Sequence, residues 1–117
     1  MSAATYNFEI EQGATLVKAF VWKDSNGSPV NLSGYTAKMQ FRKSVSSSDV
    51  LLEMSTTNGR ISITAGTGTV ALVLDAATSA AITWSSAVYD LELTSSGGIV
   101  TRLLQGSVTV SKEVTRG

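Results

Sequence analysis

Apolar and polar residues alternate along most of the chain, the period-two pattern of strands with one face on a core and the other outward. The first run sets Tyr6, Phe8 and Ile10 on one side and Asn7, Glu9 and Glu11 on the other, and stops at Gln12-Gly13. A second runs through Leu16, Phe20 and Trp22 to Asp24-Ser25-Asn26-Gly27-Ser28-Pro29. Asn-Gly is a strong short turn signal because both residues tolerate positive φ, so this stretch reads as a hairpin turn. The cleanest alternation places Tyr35, Ala37, Met39 and Phe41 opposite Thr36, Lys38, Gln40 and Arg42. After the Ser-rich loop Ser44 to Ser48, the stretch Val50-Leu51-Leu52-Glu53-Met54 leads to Asn58-Gly59, which predicts a tight hairpin into Ile61 and Ile63. Gly66-Thr67-Gly68 then introduces Val70, Leu72 and Leu74.

One segment breaks the pattern. Asp75-Ala76-Ala77-Thr78-Ser79-Ala80-Ala81-Ile82 is rich in alanine, with Asp75 in position to cap a helix N-terminus. It predicts about two helical turns bridging two strands. The chain returns to alternation with Val88-Tyr89-Asp90-Leu91-Glu92-Leu93, a turn at Ser95-Ser96-Gly97-Gly98, and a last strand from Ile99 to Val110. There Leu103 and Leu104 are adjacent and Gly106 follows, a phase shift that predicts a bulge.

About eight or nine short strands with a turn signal every ten or so residues define an all-β chain folded as a sandwich or a barrel-like pair of sheets. No linker divides the chain and no segment repeats at a fixed period, so residues 1–117 are expected to form a single domain.

Composition narrows the chemistry. The chain has no cysteine and no histidine, which removes disulfides, zinc and iron–sulfur ligation, and any Cys–His or Ser–His–Asp nucleophile. Nine basic residues balance nine acidic ones. The basic residues are scattered as Lys18, Lys23, Lys38, Arg60 and Arg102 apart from the Arg42-Lys43 pair, with no cluster of the kind that neutralises nucleic-acid phosphates. Charged residues are only 15% of the chain, below the usual share of roughly 25%. Near-zero net charge favours association, so much of the surface is expected to meet partner proteins. A Ser/Thr-rich surface kept soluble by its hydroxyls is the alternative.

Met1-Ser2-Ala3-Ala4-Thr5-Tyr6 lacks the basic and apolar regions of a signal peptide, and no apolar run approaches the ~20 residues of a membrane helix. Synthesis in a cytoplasm is the expectation. Glu9 with Glu11, and Asp90 with Glu92, are same-face carboxylate pairs. Such pairs can serve acid–base chemistry or a hard cation, but in strands they more often mark a solvated face. Asp24-Ser25-Asn26-Gly27 lacks the further ligands of a calcium loop, and Gly66-Thr67-Gly68 lacks the Gly-Lys-Ser/Thr ending of a phosphate cradle. Trp22, Trp84, Tyr35 and Tyr89 are candidates for a sugar platform, with Trp84 the expected exposed aromatic and core packing the expected role for Trp22 and Tyr35. No catalytic, cofactor-binding or metal-ligating residue is selected, no cofactor is expected, and no partner-contact residue is assigned.

Several segments together resemble small virion proteins of tailed bacteriophages. They are Tyr6 to Gly13, Trp22 to Gln40, Val88 to Thr94 and Val100 to Val110. Their order resembles an immunoglobulin-like phage module, and Pro29-Val30-Asn31-Leu32-Ser33-Gly34-Tyr35-Thr36 is similar to the N-terminal domains of phage upper-baseplate proteins. The resemblance implies an immunoglobulin-like antiparallel β-sandwich with one short helix near residues 75–82. It also implies a non-enzymatic structural part of the virion: a tail, baseplate or fibre-attachment adaptor. Its partners would be other virion proteins and symmetric copies of itself, with no nucleic acid and no membrane. A capsid decoration protein and a host-surface carbohydrate-binding module remain the alternatives. In the turn, Pro29 and Gly34 bracket Val30 and Leu32, which are expected to plug one end of the sandwich.

Overall fold

The alternating segments become nine strands divided between two sheets, in a computed structural model that describes residues 4–115. Met1 to Ala3 of the opening segment, and Arg116 and Gly117 of the tail, lie outside the described residues. In chain order the strands are β1 (Ala4–Thr5), β2 (Phe8–Glu11), β3 (Leu16–Val21), β4 (Thr36–Arg42), β5 (Leu52–Ser55), β6 (Ile61–Thr64), β7 (Thr69–Leu74), β8 (Ser86–Thr94) and β9 (Val100–Ser111). A single α-helix, α1 (Ala76–Ala80), links β7 to β8.

The larger sheet runs β9-β8-β4-β5 in antiparallel pairs, and both β1 and β2 pair with the outer side of β9 in parallel. The smaller sheet is β3-β7-β6, antiparallel throughout. Inward residues of both sheets, joined by Leu32 of the β3–β4 loop, form one buried cluster that includes Ile10, Met39, Phe41, Met54, Leu72, Leu74, Leu91 and Val108. Phe8, Phe41 and Tyr89 stack or meet edge-on within it, at centroid separations of 5.3–6.3 Å, the offset and T-shaped geometries that aromatic rings prefer.

The expected helix forms. Asp75 caps it by accepting from the Thr78 amide and hydroxyl, and the carboxyl is thereby held below its ordinary range. The bulge falls at Leu103: Leu91 pairs with Leu104 while the next residue, Glu92, pairs with Arg102. Leu32 is fully buried, tied by its amide to the Ala65 carbonyl, with Gly34 at φ 80°. Within the turn bracketed by Pro29 and Gly34, Leu32 is thus part of the core and Val30 packs partly buried against it.

One of the two Asn-Gly turns differs from expectation. Asn58-Gly59 does not close a hairpin, because β5 belongs to the larger sheet and β6 to the smaller one. Asn58 instead builds a crossover: its side-chain oxygen accepts from the Ser55 and Arg60 amides, and its amide nitrogen donates to the Glu53 carbonyl. Asn26-Gly27 does close a short local hairpin, with the Lys23–Pro29 bridge and the Val30 amide on the Trp22 carbonyl, while the strands on either side pair elsewhere, β3 with β7 and β4 with β5 and β8. Asn-Gly chemistry reverses the chain locally and carries no information about which strands then pair.

Candidate functional site

The outward positions of β4, β5, β8 and β9 assemble a polar face on the larger sheet. Cross-strand register brings Lys38, Glu92 and Arg102 into one row and Gln40, Asp90 and Gln105 into the next. Within the face, Arg42 donates to the Ser47 carbonyl and to Gln40 Oε1, both at 2.7 Å, and Gln40 Nε2 donates to Glu53 Oε1 at 2.8 Å. Arg102 Nε lies 3.4 Å from Asp90 Oδ2. Gln40, Arg42, Asp90 and Arg102 flank a depression of about 510 Å³, and a second of about 320 Å³ lies beside Lys38 and Thr94. Glu92 lines both.

Charges of both signs alternate here, with Arg102 paired to Asp90 and Arg42 bonded to neutral oxygens, so the face is close to neutral. Opposite-charge neighbours on adjacent strands contribute only tenths of a kcal/mol to about 1 kcal/mol each. What the arrangement does offer is a broad set of donors and acceptors held in register, suited to a hydrogen-bonding protein surface.

The carboxylate pairs do not converge on a reaction centre. Asp90 is engaged by Arg102, and Glu9 and Glu11 are exposed on β2. Among the described residues no group of three or more acidic side chains is placed to hold a metal ion. Lys112 Nζ donates to the carbonyls of Thr83 and Trp84. Among the described residues no helix is long and apolar enough to cross a membrane.

The candidate sugar platform is dispersed through the packing. Trp22 and Tyr35 meet edge-on at 6.1 Å and 88°, and Tyr89 is buried. Trp84, expected to be the exposed aromatic, is half-buried against the core with its ring 6.1 Å from that of Phe41. The loop that carries it turns inward to cover the end of the sheet.

A second outer surface was not anticipated from periodicity. On the smaller sheet Val17, Val21 and Val73 are 66%, 50% and 41% exposed, and Ala19 and Ala71 lie between them. The signal was present in the doublets Leu16-Val17 and Phe20-Val21 and in the run Leu72-Val73-Leu74.

The sheet orders β9-β8-β4 and β3-β7-β6, with the opening strands beside the last, define an immunoglobulin-type sandwich. Solved structures share it. One is the N-terminal domain of phage TP901-1 ORF48, which superposes with a TM-score of 0.52 over 96% of this chain and 100% of that one, at 16% sequence identity. At that identity the likeness is one of fold. No family model and no curated protein matches the chain.

Proposed function

We propose that the chain is a non-enzymatic structural part of a tailed-phage particle, an adaptor at the tail, baseplate or fibre junction that docks other virion proteins. The observation that carries this reading is the end-to-end likeness of fold to a phage protein domain, joined to a neutral surface in which polar groups are laid out in register rather than gathered into a reactive site. The polar face of the larger sheet is the docking surface in this reading.

Strand-edge docking in the larger sheet is less suited to the role. Its outer strands β1, β2 and β5 are two to four residues long, and short edges offer few backbone groups to a partner strand.

The test is the address of the chain in the particle. Purified virions separated into heads and tails are analysed by mass spectrometry. Recovery with tails is the expected result. Recovery with heads assigns the chain to capsid decoration, and absence from both overturns a virion role.

A further inference from the structure

The edge of the smaller sheet has a property that the function proposed above does not require. In β3, the Trp22 amide donates to the Gly68 carbonyl, and the register pairs Phe20 with Val70, Lys18 with Leu72 and Leu16 with Leu74. Hydrogen-bonded pairs alternate along an antiparallel ladder. The even-numbered residues of β3 therefore bond β7, and the amides and carbonyls of Val17, Ala19 and Val21 face away from it. β3 is terminal in its sheet, so those groups are the free edge. The side chains of the same three residues are exposed.

The outward sequence Val17, Ala19, Val21 is the same in both directions about Ala19. A second copy rotated by a two-fold axis at Ala19 would place Val17 opposite Val21 of its mate, Ala19 opposite Ala19, and Lys18 opposite Phe20. All three outward pairs would be hydrogen-bonded ones, and the apolar outer faces of both small sheets would run on without a step. Ala19 at the axis sets a small side chain opposite its own symmetry mate. Lys18 is an inward charge of the kind that guards edges. Its ammonium, however, lies 5.7 Å and 5.6 Å from the ring centroids of Tyr6 and Phe8, engaged with the aromatic side of the core.

We infer that β3 is a self-association edge, and that two copies of this chain pair β3 to β3 in antiparallel register centred on Ala19, forming one six-stranded sheet. The pairing is closed, because each copy contributes one β3. It rests on the register of β3 and not on the phage reading, so either can fail without the other.

Sedimentation equilibrium of the purified chain, read against its 12.2 kDa monomer mass, is the first measurement, with amide exchange as the second. The expected result is a concentration-dependent dimer in which the amides of Val17, Ala19 and Val21 gain protection as concentration rises, while those of Lys18 and Phe20 are protected throughout. Ala19→Pro removes no bond to β7 and should weaken the dimer roughly tenfold or more. Val17→Glu with Val21→Glu, at exposed positions that leave the core untouched, should do the same by opposing like charges. Val17→Lys with Val21→Glu should retain it. A chain that stays monomeric at millimolar concentration overturns the inference. So does a dimer indifferent to these substitutions, or protection of the Val17, Ala19 and Val21 amides that needs a different protein.

Discussion

The hydroxyl of Tyr89 donates a 2.6 Å hydrogen bond to the backbone carbonyl of Tyr6, a residue 83 positions earlier in the chain. Tyr89 lies on β8, opposite Gly106 of β9, so the bond spans β9 and fastens the opening strands to the sheet. The carbonyl it reaches falls in the Tyr6-Asn7 break between β1 and β2. Tyr89→Phe removes the donor and leaves that carbonyl without its partner. We expect a loss of about 1–2 kcal/mol, measured by urea unfolding.

The same hydroxyl gives a pH signature. Burial, and secondarily the neighbouring Tyr6, push its pKa up from 10.0 to about 12. A folded pKa above the unfolded one supplies stability that is complete below the unfolded value and is lost as pH rises through the folded value. The wild type should therefore lose more stability than Tyr89→Phe between pH 10 and pH 12, by at most about 2 kcal/mol. Equal losses in the two proteins would contradict this.

Gly106 is required by close approach, not by backbone angle. A Cβ there would collide with the Tyr6 carbonyl oxygen and stand 2.8 Å from Asn7 Oδ1. Gly106→Ala should push β1 and the Tyr6-Asn7 break off β9, costing about 1–3 kcal/mol. Amide exchange should show the Tyr6 amide, bonded to the Gln105 carbonyl, exposed first.

Ser79 is fully buried, and its hydroxyl accepts from the Gly13 amide at 2.8 Å and donates to the Ala14 carbonyl at 2.9 Å. It locks α1 to the turn between β2 and β3. Gln12 reinforces the lock, donating to the Ile82 carbonyl and accepting from the Glu113 amide. Ser79→Ala should cost about 1–3 kcal/mol, read as a lower urea midpoint with an unchanged slope.

How far the sequence led depends on the range of the interaction. The alternation from Tyr35 to Arg42 and from Val88 to Leu93 identified core-facing residues because period two is a local property. Asp75 and the Leu103-Leu104 doublet marked a helix start and a bulge for the same reason. The parallel pairing of β2 with β9 joins Phe8 to Val108, a contact across the length of the chain that no local pattern encodes. Asn58-Gly59 was legible as a reversal but not as a passage between sheets. Trp84 sits beside serines in sequence and beside Phe41 in space. Of the polar face, the outward residues were legible one strand at a time; their rows across β4, β8 and β9 needed the register.

The polar face can be altered without disturbing the core. Arg102 and Asp90 are both well exposed as a pair, and exposed ion pairs contribute about 0–1 kcal/mol. Arg102→Gln, which removes the pair without opposing like charges, should therefore leave the urea midpoint nearly unchanged.

The most direct measurement is incorporation into tails. Particles are assembled with the wild-type chain or with Arg42→Glu and Arg102→Glu together, after circular dichroism has shown the variant folded, and tails are quantified for the chain by mass spectrometry. The docking account predicts that the wild type is recovered with tails and the folded variant is depleted at least roughly tenfold, as expected for like charges newly opposed across an interface. Equal incorporation of the two would contradict the assignment of the polar face as the docking surface.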